Sequence, residues 1–186
     1  MNQISDRTIL DKFCINFCKI VEKYTKYIIV SGFVAIASGR VRGTEDIDMI
    51  IERVSKDEFI KIHKELIKKK FVCMQSDDPE EIYELYLDTC LNIRYTYKNQ
   101  LVPQMEVKFV KDELDKYQIK TRVKLSLTGL DIWFSSINMN IAFKEKYLKS
   151  DKDLEDARHL RIIYADKVDE NEIEKIKHMI RNIRLK

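Results

Sequence analysis

Residues 27–51 read YIIVSGFVAIASGRVRGTEDIDMII, and no other part of the chain is as specific. Tyr27–Val30 is an apolar run of the length of a buried strand, broken at Ser31 and Gly32 where the backbone must turn. Residues 33–38 predict a short buried helix ended by Gly39, which sets the amides of Ser31 and Gly32 at a helix N-terminus, where N–H groups can hold a phosphate. Arg40 and Arg42 then add positive charge. Asp46–Ile51 reads as an apolar strand with two carboxylates two positions apart, and the period of a strand puts both on one face.

Two carboxylates side by side repel. A divalent cation removes the conflict, since oxygen ligands around open positions suit Mg²⁺ bridging to substrate phosphates. The plainer alternative is a solvated strand end, and a D-x-D pair standing alone would not decide between them. Here strand, small-residue turn, helix, basic loop and D-x-D follow in the order that brings a phosphate cradle and a cation site together.

Ser31-Gly32, Gly39, Arg42, Thr44, Asp46 and Asp48 together resemble the signature of the DNA polymerase β superfamily of nucleotidyltransferases. The G-x-x-R-x-T-x-D-x-D spelling is most similar to a small branch that includes the toxin-like nucleotidyltransferases of abortive-infection systems. That branch usually has glycine first in the turn; this chain has Ser31 first and bulky Phe33 after Gly32. The resemblance implies a mixed α/β (α+β) sheet of four or five strands flanked by helices. It also implies a third carboxylate from a later strand, and Glu106, within the alternating run MEVKFV, matches in position, where the family more often has Asp. Glu106 read without the resemblance is an acidic sheet residue paired with a lysine on the same face.

Length and composition bound the rest. A chain of 186 residues with 45% apolar and 35% charged residues is one globular domain of ordinary size. Thirty-four Lys and Arg against 31 Asp and Glu give a net charge of +3, which permits a polyanionic partner without demanding one. Cys14, Cys18, Cys73 and Cys90 lack zinc spacing and read as reduced thiols. With no long apolar run and no leader pattern, the expectation is a cytoplasmic protein with no membrane partner.

Helices are expected from Ser5 and Asp6 as cap to residue 24, from Ser55 as cap to residue 70, and over 80–88. Short strands are expected at 71–74, 91–97 and 105–110, and a strand pair at 121–127 and 130–134. From Ser136 onward the chain turns helical, giving a division into an α/β core of 1–135 and a helical segment of 136–186 packed on it. Lys144 and the run Lys152-Asp153-Leu154-Glu155-Asp156 resemble the family's later lysine and K-D-x-x-D segment. On a helix, Asp153 and Asp156 can orient basic residues toward the cleft or simply cap and solubilise, the second being the plainer reading.

The resemblance implies metal-dependent transfer of a nucleoside monophosphate from a nucleoside triphosphate to a hydroxyl, with Mg²⁺ or Mn²⁺ as cofactor. Asp46, Asp48 and Glu106 are the implied catalytic and metal-holding set, and Ser31, Gly32, Arg42, Thr44 and Lys144 the nucleotide contacts. Acceptors left open are an RNA end, a protein side chain and a small-molecule hydroxyl. The competing reading is a non-catalytic nucleotide- or polyanion-binding module, with a partner protein in a toxin–antitoxin-like system.

Overall fold

The computed structural model describes residues 8–185, so Ser5 and Asp6 as caps lie outside it. Thr8 caps helix α1 (Ile9–Val21) instead, in a reciprocal box with Asp11. Five strands follow: β1 (Tyr27–Val30), β2 (Asp46–Ile51), β3 (Phe71–Cys73), β4 (Ile93–Tyr97) and β5 (Gln104–Phe109). They form one mixed sheet in the order β1-β2-β5-β4-β3, in which only the central pair β2/β5 is parallel. The fold is the expected α/β architecture.

Strand alternation divides the sheet into two faces. Ile29, Ile47, Met49, Ile51, Met105, Val107 and Phe109 point into the main core, under α1 and α3 (Lys56–Lys68). Ile28, Val30, Ile50 and Val110 point the other way and pack on Ile119 of α5 (Glu113–Lys120), leaving Asp46, Asp48, Glu106 and Lys108 on that second face. Helix α4 (Pro79–Ile82) runs on as a π turn over Tyr83–Leu87, close to the helix expected at 80–88.

The strand pair expected at 121–134 does not form. Val123 and Phe134 make one antiparallel bridge, Phe134 makes one parallel bridge to Ile29, and Ser126–Thr128 is a 3₁₀ turn closed by Gly129. Phe134 is fully buried, so the segment's alternation reflects anchoring to β1 rather than a new sheet edge. After Ser136, which caps it, α6 (Ile137–Phe143) continues as a π turn over Lys144–Leu148, followed by α7 (Asp151–Ile163) and α8 (Glu170–Arg184). Met139, Ile141, Leu160, Ile173, Ile176 and Ile180 join the main apolar cluster, so one hydrophobic core runs through both parts of the chain. Among the described residues no helix is long and apolar enough to cross a membrane.

Candidate active site

The parallel register sets Asp48 against Glu106 and Asp46 against Gln104, while the antiparallel register on the other side sets Asp48 against Val30, next to the turn. All three carboxylates therefore stand on the second face, two of them on neighbouring strands. Asp48 pays for this: burial and the negative charge of Glu106 push its carboxyl up to about 6, with Asp46 adding to the shift and Ser31 and Lys108 opposing it. Thr44 donates to Asp46 Oδ1 at 3.1 Å, so it orients a carboxylate.

Glu106 leans away from Asp48. Arg94, its cross-strand partner on β4, reaches Oε2 through Nε at 3.0 Å and Nη2 at 2.9 Å, and Asn92 donates to Oε1. Two like charges on adjacent strands separate unless a cation lies between them, and Arg94 supplies the nearest one. Oε2 accepts twice from Arg94, while Oε1 keeps a second lone pair, so Glu106 retains acceptor capacity through that oxygen.

The turn is tighter than the sequence reading allowed. Ser31 has φ 65° and ψ −139°, a backbone region that belongs almost wholly to glycine. The chain thus holds a hydroxyl where glycine would be relaxed. At Gly32 a Cβ would stand 2.9 Å from Arg42 Nη2, so the missing side chain is what lets the guanidinium lie on the turn.

Arg42 is held there from behind. Its Nη1 donates to Asp156 Oδ2 at 2.6 Å, Lys144 Nζ donates to the same oxygen at 2.7 Å, and Arg40 pairs with Asp156 Oδ1. Asp156 is 0% exposed and Lys144 1%. Lys144 also pairs with Asp153 at 3.3 Å, and Arg40 with Glu155. Of the two roles open to Asp156, the structure thus shows the orienting one: α7 delivers a buried carboxylate that gathers three cations beside the turn. Asp153 does both, since its carboxylate accepts from the hydroxyl of the Ser150 cap and also meets Lys144.

Between this cluster and α5 lies a cleft of about 170 Å³, lined by Ser31, Asp48, Lys108 and Lys144 on its polar side and by Ile50, Met139, Phe143 and Leu148 on its apolar side. Sequence reading missed Lys108 and the α5 wall, because helix α5 is announced only by its cap, Asp112, accepting from Leu114 and Asp115. Asp46 and Asp48 are hard oxygen donors facing open space. Among the described residues no three His, Cys, Asp or Glu side chains form a ready-made metal cage. Mg²⁺ asks for less, since it is usually held by one or two carboxylates with substrate phosphates and water completing the shell, so the donor set fits that ion.

No protein-family model matches the sequence, nor does any curated protein. Solved nucleotidyltransferases share its fold. The antibiotic-resistance factor ANT(2'')-Ia in solution aligns over 92% of this chain and 93% of its own, with a TM-score of 0.53 at 15% identity. ANT(2'')-Ia in complex with adenylyl-2''-tobramycin aligns over 94% and 98%, with a TM-score of 0.56 at 14% identity. An antigenic nucleotidyltransferase-like protein from Paracoccidioides brasiliensis aligns over 95% and 88%, with a TM-score of 0.54 at 18% identity. At these identities the likeness is one of fold: the chain has a nucleotidyltransferase-like fold over nearly its whole length.

Proposed function

We propose that this protein is a nucleotidyltransferase that moves a nucleoside monophosphate from a nucleoside triphosphate to a hydroxyl acceptor and releases pyrophosphate. The observation that carries the reading is the cross-strand pairing of Asp48 with Glu106, with Asp46 on the same face, beside a turn on which Arg42 lies. Asp46 and Asp48 would hold Mg²⁺ or Mn²⁺, which when bound neutralises charge on the triphosphate and polarises the reacting phosphorus. The Ser31 hydroxyl and the Arg42 and Lys144 cations would bind the phosphates and favour the charge that builds on the leaving group. The acceptor oxygen attacks the α-phosphorus, the bond to the β-phosphate oxygen breaks, and pyrophosphate leaves with the electron pair. Glu106, on the same face, would take the acceptor's proton. The cleft beyond Asp48 offers an apolar wall to the sugar and base.

The test is incubation with each labelled nucleoside triphosphate and Mg²⁺ or Mn²⁺, in separate arms with total RNA, total protein and an aminoglycoside such as the tobramycin of ANT(2'')-Ia. Label in any acceptor, lost in Asp48→Asn, supports the reading.

One observation favours a second reading, a non-catalytic nucleotide-binding module that acts through a partner protein as in a toxin–antitoxin pair: Glu106 is already held by Arg94 and Asn92. Arg94→Ala separates the two. Faster labelling of an acceptor marks Arg94 as a restraint on a working carboxylate. Tight nucleotide binding with no labelling in either protein supports the module.

A further inference from the structure

On the same second face of the sheet, beyond α5 from the candidate active site, lies a larger cleft of about 730 Å³. Lys26, Arg53, Lys111, Lys116, Lys120 and Arg122 line it, against a single acid, Glu52. The cleft thus holds a net charge of +5 in a chain whose total is +3, so the rest of the molecule is net negative. A solvated lysine-rich surface would spread its cations among acids, as most of this one does. Here Arg53 pairs with Asp88 and Lys116 with Glu113, but Lys111 and Lys120 make no ion pair among the described residues, and Lys26 meets Glu52 only at 3.5 Å. Arg122 is held in place, donating to the Tyr27 carbonyl and lying 4.2 Å from the centre of the Trp133 ring. Concentrated positive charge in a concave wall raises the local potential and captures a polyanion.

We propose that this cleft binds the phosphodiester backbone of a single-stranded nucleic acid. Several cations lining one groove can each meet a phosphate of a chain, and the groove's volume suits one strand. The fixed guanidinium of Arg122 on Trp133 supplies a flat cationic face of the kind on which bases stack. Glu52 pairs with Lys26 at the cleft and follows Asp48 by four residues of β-structure and its end, roughly 13 Å of chain, so a bound strand would lie near the carboxylates. The proposal stands on the charge of the cleft and not on the transfer reaction, so it is tested in chelator and without nucleotide.

The experiment is fluorescence anisotropy of the full chain with a short labelled single-stranded RNA, and with DNA of the same sequence, across a salt series. Engagement of three to six cations predicts a log–log salt slope of about −2 to −4. The double variant K111E/K120E is expected to weaken binding by about tenfold or more and to flatten the slope by about 1.4. The control K61E/K64E, an equal charge change on exposed lysines of α3 on the opposite side of the sheet, is expected to stay within about twofold of wild type. Equal binding of RNA and DNA assigns recognition to the phosphates; preference for RNA adds the 2'-hydroxyl. Wild-type binding no tighter than that of K111E/K120E, or an equal loss in the control, overturns the proposal, as does binding of an acidic peptide or anionic vesicles in place of either strand. Because the transfer assay and nucleotide binding are read separately on the same proteins, failure here leaves the nucleotidyltransferase reading standing, and the reverse also holds.

Discussion

Asp48 carries the clearest physical signature of the site. Its folded-state carboxyl is raised to about 6 from an ordinary value of 3.8, so the metal-free folded protein takes up the proton before the unfolded chain does. The stability this contributes is fully present below about pH 4 and is lost as pH rises through about 6. The resulting penalty at neutral pH is at most about 3 kcal/mol. In chelator, Asp48→Asn should therefore melt higher than wild type at pH 7, lack the decline between pH 4 and 6, and support no transfer. A lower melting temperature for the variant at pH 7 would remove the case for crowded carboxylates. Ser31 gives a second residue-scale test. Its backbone belongs to glycine, and relief of that strain is worth about 1 kcal/mol after the entropy cost of glycine. Ser31→Gly should thus be as stable as wild type or slightly more so yet slower in transfer, whereas Ser31→Ala should lose activity with no gain in stability.

At the scale of elements, α7 matters to the site chiefly through its one fully buried acid. Asp156 arrives fully buried, and removal of one partner from a buried ion cluster typically costs about 3–5 kcal/mol, because the remaining charges are left uncompensated. Asp156→Asn should cost about 3 kcal/mol or more in denaturant melts and should also weaken nucleotide binding, since Arg42 and Lys144 lose the carboxylate that aims them. A merely structural role predicts something different: the double variant Asp156→Asn/Lys144→Met would then recover nucleotide binding along with stability. Here it should recover part of the stability and none of the binding. The same helix shows what a short motif hides. K-D-x-x-D is visible in the sequence, but which of its acids turns inward depends on where α2 (Gly32–Ala37) meets α7, as Ser38 does in its hydrogen bond to Tyr164.

At the scale of the whole molecule, ligand binding and folding are linked, because a ligand that binds only the native state stabilises it. At about a hundredfold excess over its dissociation constant, a nucleoside triphosphate with Mg²⁺ is worth about 2.7 kcal/mol, or roughly 5–10 °C in a chain of this size. Thermal melts with nucleotide, with metal and with both check this, and no shift at millimolar concentrations of both would favour a scaffold without a nucleotide site. The sequence by itself determined the α/β class, the order of strand, turn, helix and D-x-D, the helical C-terminal part, and the sharing of one face by Asp46 and Asp48, because strand period and turn chemistry are local properties. Only the tertiary structure decided the rest. It pairs Asp48 with Glu106 through a parallel register that no local signal encodes, turns Glu106 toward Arg94, and buries Asp156 among Arg40, Arg42 and Lys144. It also reduces the expected 121–134 strand pair to single bridges and gathers six cations from β1, β2, β5 and α5 and their flanks into one cleft. Most of these join residues far apart in the chain, and long-range electrostatics and packing, unlike periodicity, leave no trace in the neighbouring sequence.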